Sequence, residues 1–322
     1  MSEEPAQPAP VVWMWPLPRR ERWQPPWPAW TWAAPLLLLT LATTTVVGAR
    51  LAFNFARHLP PYATANDLWP FPWAWHHPQA LWAGLGFSLP LLAILLAHEL
   101  GHFLACRYYR MDSTLPLFLP APTLIGTLGA FIRIRSPFAD RREVFDVGIA
   151  GPLAGMVVTV PLLIYGLAGS RVLQPGEMAA WSQQFVVFGW PLGAQWVAAW
   201  LHPGVAQNAI ALSPLARAAW IGLLLTMLNL VPGAQLDGGH ILYAVAPRLH
   251  TVVSWGCMAA LAVGGYFYWP GWYVFAAFIA LMRVRHPAVA PGPPLGRARA
   301  VLALVAVGVM VVAFTAAPLL AG

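Results

Sequence analysis

Apolar residues in this chain gather into long runs separated by short, proline-rich or arginine-bearing connections, and several runs are long enough to cross a bilayer. The pattern predicts a first span over residues 34–55, a second over 80–108, a third over 144–167 and a fourth over 214–231, stopped by Pro232. Residues 251–269 and 271–282 read as a hairpin about Trp269-Pro270-Gly271, its second arm short for a full crossing, and 301–319 as a last span. One stretch breaks the helical pattern. The glycines and alternating residues of 126–134 suit a strand or hairpin better than a helix. The expected fold is an all-α polytopic membrane protein with five to seven transmembrane helices and a small membrane-associated β hairpin after the second span. Residues 1–32, rich in proline and tryptophan, read as an irregular interfacial arm, and 33–322 as a single transmembrane domain.

Composition agrees with the pattern. Hydrophobic residues make up 59% of the 322 and charged residues 9%, against about 25% charged in ordinary soluble domains. The net charge of +7 comes from arginine alone, because the chain has no lysine. A basic balance can signal nucleic acid, but these arginines are distributed as topology signals, so no nucleic-acid partner is expected. Arg107, Arg110, Arg133, Arg135, Arg141 and Arg142 follow the second span, whereas the 57–80 connection carries only Arg57 and the 170–213 connection only Arg171. The arginine-rich side is therefore expected to be cytoplasmic, with the N-terminus on that side, in a bacterial inner membrane. The first 30 residues lack the continuous apolar core of a cleavable signal peptide. Cys106 and Cys257 sit in or beside apolar runs and offer no disulfide framework, and Cys106 reads as a packing residue.

Candidate chemistry begins at His98-Glu99-Leu100-Gly101-His102, inside the second apolar run. On a helix, histidines four apart leave one face together, so both imidazoles can reach one metal ion while Glu99 reaches a water beside it. At a 1.5 Å rise, His98 lies some 27 Å along the span, within the cytoplasmic leaflet. Catalytic zinc takes three protein ligands and keeps a position open. Asp237, after the fourth span, is the third expected ligand, because an unpaired turn aspartate at membrane depth would be costly. Both spans run inward in the arginine-based topology, which puts their functional ends at one depth. Glu99 is the expected proton acceptor when water attacks a peptide carbonyl, and Asn229 a possible donor to the oxyanion. A free edge at Gly126, Thr127, Leu128 and Gly129 is suited to holding an unwound substrate by backbone hydrogen bonds. Elsewhere, Arg50 reads as a snorkelling arginine and Asp146 as a helix-end carboxylate. His58, His76, His77 and His202 read as outer-surface residues.

Together His98-Glu99-x-x-His102, Gly148-x-x-x-Pro152-x-x-Gly155 and Asn229-x-x-Pro232-x-x-x-x-Asp237-Gly238 resemble the site-2 protease family of intramembrane zinc metalloproteases. With the 126–134 segment and the Arg141-Arg142-Glu143 run, the chain is most similar to the subgroup without PDZ or CBS domains. That resemblance implies a Zn2+ ion on His98, His102 and Asp237, Glu99 as base, and single-pass or pre-trimmed transmembrane substrates cut near the cytoplasmic leaflet. Two other readings use the same residues: a transporter or metal-handling channel, in which they would be transit ligands, and a non-proteolytic binder of transmembrane helices.

Overall fold

A computed structural model of the protein describes residues 30–181, 184–282 and 286–321. The expected N-terminal arm lies almost wholly outside the described residues. Helix α1 (Trp30–Ala56) is followed by the short α2 (Ala65–Leu68) and α3 (Phe71–His76), then by α4 (Leu81–Tyr108). Strands β1 (Leu117–Pro120) and β2 (Thr127–Phe131) form an antiparallel hairpin, pairing Leu117 with Phe131 and Phe118 with Ala130. Next come α5 (Arg141–Ala168), β3 (Arg171–Val172), α6 (Pro175–Trp181), β4 (Val186–Phe188), α7 (Leu192–Leu201) and β5 (Ile210–Ala211). The chain continues through α8 (Pro214–Leu230), α9 (Asp237–Val245), α10 (His250–Phe267), α11 (Gly271–Leu281), α12 (Gly296–Ala313) and β6 (Leu319–Ala321).

The helices bearing α1, α4, α5 and α12 are long and apolar enough to cross a membrane, while α8 and α11 are apolar but shorter. The last crossing differs from expectation: the helix starts earlier, at Gly296, and residues 319–321 pair with β4 instead of continuing it. Two further small sheets pair β3 with β5 within the 170–213 region, and β4 of that region with β6 at the C-terminal end of the chain.

Helix α8 is the centre of the bundle. Its 17 residues are apolar nearly all round because Trp220, Ile221, Leu223, Met227 and Leu230 are all buried against protein. In lipid, apolar surface alone does not drive helices together; close packing and polar ties do. Small residues supply the packing here. A Cβ on Gly48 of α1 would lie 2.5 Å from the Gly84 carbonyl oxygen of α4, and Thr45 and Ser88 hydroxyls meet at 2.9 Å across the same contact.

Polar ties close both ends. At the end of the bundle beside α2 and α3, Asp67, 5% exposed, accepts from Arg50 Nε at 2.6 Å, Asn54 Nδ2 at 2.7 Å, and the amides of Ala63 and Thr64. Arg50 therefore does not snorkel. It is held inside by a carboxylate and lies over the Trp73 ring, 4.9 Å from its centroid. At the other end, Asp146, in the opening turns of α5, takes both Nε and Nη2 of Arg299 at 2.8 and 2.6 Å and also the Tyr109 hydroxyl. That joins the ends of α4, α5 and α12. The helix α5 itself starts at Asp140, whose side chain caps the amides of Arg142 and Glu143.

Asp67→Ala leaves the largely buried Arg50 without its carboxylate and is expected to destabilise the fold by about 3 kcal/mol. Thermal unfolding in detergent measures it. Adding Arg50→Leu should recover part of the loss, because the stranded charge is then gone.

Candidate metal centre

Two imidazoles and one carboxylate converge inside the bundle. His98 Nε2 lies 3.2 Å from His102 Nε2, His98 Nε2 lies 3.2 Å from Asp237 Oδ2, and His102 Nε2 lies 3.3 Å from Asp237 Oδ1. His98 and His102 are buried and Asp237 nearly so. Among the described residues this is the one group of three or more metal-ligating side chains brought so close. The triangle suits a cation. Ligands about 2.0–2.1 Å from a tetrahedral zinc are necessarily about 3.3–3.4 Å from one another.

The supports of each ligand explain the local sequence. His102 donates its Nδ1–H to the Val147 carbonyl at 2.7 Å, which fixes the tautomer and leaves Nε2 as a lone pair facing the cluster. Helix α5 gets close enough to do this because its facing residues have no side chain. A Cβ on Gly151 would run into the His102 ring, one on Gly155 would sit 3.3 Å from His98 Nδ1, and one on Gly148 would sit 2.9 Å from His240 Cβ. The Gly148-x-x-x-Pro152-x-x-Gly155 motif is thus the wall of the site. Across the helix pair, a Cβ on Gly101 would strike the Ala150 carbonyl.

Asp237 opens α9, reached from α8 through a tight turn in which Ala234 takes φ 49, the left-handed region. The turn is pinned from α10. Ser254 Oγ accepts from the Ala234 amide at 3.1 Å, and His250 Nε2 donates to the Ala234 carbonyl at 2.9 Å. The two glycines after Asp237 are steric requirements, since a side chain on Gly238 would enter the Leu230 carbonyl and one on Gly239 the Ala234 carbonyl. Asp-Gly-Gly thus forms the turn and presents the Asp237 carboxylate to the two imidazoles.

Glu99 is buried on α4 between His98 and His102 in sequence. Asn229 Nδ2 lies 3.2 Å from His98 Nε2. The four residues expected on the hairpin divide. Gly126, at φ 80, is packed on Thr43 and Thr44 of α1, and the buried Thr127 hydroxyl is used on the Leu119 carbonyl and Gly129. By contrast, Leu128 is 66% exposed, and a side chain at Gly129 would meet nothing within 4 Å.

Other residues stand apart from the cluster. Cys106 is fully buried against Met111 and Val147. His202 bonds the Leu167 carbonyl and His58 bonds Glu177. Sequence reasoning missed the Val147 carbonyl, which as backbone leaves no signal, and the His250–Ser254 pin. It also missed Arg217, a second ionisable residue buried in a core helix, whose guanidinium lies 5.2 Å from the Phe188 ring centroid.

Comparison with known proteins decides the family: residues 86–254 match the model of peptidase family M50. The chain belongs to peptidase family M50. It is 31% identical over 235 residues to the probable zinc metalloprotease EGY1, chloroplastic, of Oryza sativa subsp. japonica, covering 70% of this chain and 40% of that protein. Its counterpart in Arabidopsis thaliana is 30% identical over 240 residues, covering 71% and 42%. The probable zinc metalloprotease EGY2, chloroplastic, of Arabidopsis thaliana is 31% identical over 209 residues, covering 64% and 36%. This M50 chain thus spans about two fifths of the length of the curated relatives it matches. Their names place those relatives in the chloroplast, whereas the sequence reading expected a bacterial inner membrane.

Gly151→Ala forces the His102 ring away from Asp237. The expected outcome is a roughly tenfold or greater weakening of zinc affinity, read by competition with a chromophoric chelator, with Gly155→Ala milder because its contact is looser.

Proposed function

We propose that this M50 chain is an intramembrane zinc endopeptidase that cleaves transmembrane helices at the depth of the His98–His102–Asp237 cluster. The observation that carries the reading is the cluster itself, with a buried carboxylate, Glu99, one residue from its first histidine and inside a bundle of apolar helices. The zinc metalloprotease names of the relatives support it.

His98, His102 and Asp237 would hold the zinc ion through two nitrogens and one carboxylate oxygen. When bound, zinc supplies Lewis acidity, which polarises a substrate carbonyl and acidifies water. The chain's own residues do the rest. Glu99 takes the proton of the attacking water and hands it to the leaving amine. The Asn229 amide, freed from His98 Nε2 when that lone pair is committed to a metal, donates to the carbonyl oxygen as charge builds there.

A helical peptide bond is protected by its own hydrogen bonds, so the substrate has to unwind before attack. The hairpin offers a template, because a two-stranded sheet leaves β2 one unpaired edge. Leu128 and Gly129 are the positions with open space for a substrate strand. Gly126 and Thr127 shape the hairpin from behind. The arginine bias supports a site facing the cytoplasm or its equivalent compartment, and the substrates are single-pass or pre-trimmed membrane proteins.

Purified protein co-reconstituted with a single-pass substrate tests the assignment. Glu99→Gln should lower cleavage by about 10²- to 10⁴-fold while keeping one zinc per chain by elemental analysis, and Asp237→Ala should lose both. Normal cleavage by Glu99→Gln would sink the proposal. Metal flux surviving in that variant, with no cleavage by the wild type, would instead favour a transit site.

A further inference from the structure

Fifteen or so ångströms outward from the metal cluster along α5, at the same end of the bundle as Asp140, a cleft of about 480 Å³ is lined by Arg141, Tyr243, Pro247, Arg248, Val289 and Pro291. Its walls come from three places: the first turn of α5, the end of α9, and the strap of residues 286–295 that leads to α12. Arginine contacts hold the strap down. Arg141 Nε donates to the Pro291 carbonyl at 2.9 Å, and Arg142 Nη2 to the Pro294 carbonyl at 2.7 Å. The nearest carboxylate, Asp140, is engaged in capping α5. Arg248 is exposed at the rim, and its guanidinium meets no carboxylate among the described residues.

Directly after Arg248 the surface becomes apolar. Leu249, Val252 and Trp255 are all exposed and three residues apart, so they share one face at the start of α10. Cationic side chains at a cleft, beside an exposed aliphatic stripe ending in tryptophan, match the two halves of a lipid: an anionic headgroup and an acyl chain. A free anion in solution would have no use for the stripe.

We propose that this cleft binds the phosphate headgroup of an anionic phospholipid from the leaflet nearest the active site, with Arg248 and the free Nη atoms of Arg141 on the phosphate and the acyl chain along Leu249, Val252 and Trp255. The cleft is wired to the metal helix. Tyr243 stacks on His286 at 4.0 Å, His286 Nε2 lies 2.9 Å from His240 Nδ1, and the Tyr243 hydroxyl accepts from the Val289 amide at 3.0 Å. Tyr243 and His240 belong to the nine-residue helix that begins with Asp237. Headgroup binding therefore steadies α9 against the strap. Only that last link rests on the peptidase reading; the lipid site itself does not.

The test uses the full chain in nanodiscs of equal phosphatidylglycerol and phosphatidylcholine, with lipid retained on the protein read by native mass spectrometry after release. Wild type should retain phosphatidylglycerol preferentially. Arg248→Gln should lower that preference about fivefold, Arg248→Glu should abolish it, and Arg248→Lys should keep most of it. Because Arg248 is exposed, these variants are expected to fold. Equal retention of both lipids, an unchanged Arg248→Gln, or full displacement by millimolar inorganic phosphate overturns the proposal. In the same preparations, hydrogen exchange of residues 237–245 should be slower with phosphatidylglycerol than with phosphatidylcholine, and the difference should vanish in Arg248→Glu. Exchange that ignores the lipid removes the tie to α9. None of these readouts requires cleavage, so failure of the lipid site is separable from failure of the peptidase assignment.

Discussion

Everything in this molecule follows from how close α5 comes to α4. The His102 ring occupies the place where a side chain on Gly151 would be, and the Val147 carbonyl reaches the same imidazole from behind. One helix thus both makes room for a ligand and fixes its tautomer. Because the contact is between backbone and ring, no flexible side chain can absorb error in it. The Arg50–Asp67 tie and the Asp146–Arg299 tie hold the two ends of the same helix bundle, so the spacing at the centre is set from both sides.

The third member of the cluster arrives by another principle. His98 and His102 ride on a 28-residue helix, whereas Asp237 stands at the first position of a nine-residue one. What a long helix gains from its own hydrogen-bond ladder, the short helix obtains from its neighbours: the α8 terminus packs on Gly238, and His250 and Ser254 grip the turn before it. The design places a carboxylate at membrane depth without a charged helix having to cross the bilayer.

The long elements were legible in the sequence because lipid demands long apolar runs, and the ends of α4, α5 and α8 fall within three residues of their expected positions. The convergence of His98, His102 and Asp237 was legible because helical periodicity fixes the two histidines on one face, and because an aspartate beside an apolar span needs a reason to be there. Periodicity does not carry partners, however. Arg50 looks like any arginine near a span end until the loop of 60–68 folds back and presents Asp67. Arg217 sits in an apolar helix whose other residues mask it. The hairpin residues were read as one edge, but a positive φ at Gly126 and a buried Thr127 hydroxyl split them into a packed half and an open half, which only three-dimensional packing decides.

The two sides of α5 live under different rules. Val157, Val160 and Tyr165 point away from the bundle and need only be greasy, so many residues serve there equally well. Gly148, Gly151 and Gly155 sit against the histidines, and at Gly151 even one methyl group is too many. Random change along this one helix is therefore harmless or ruinous according to its azimuth, with little between.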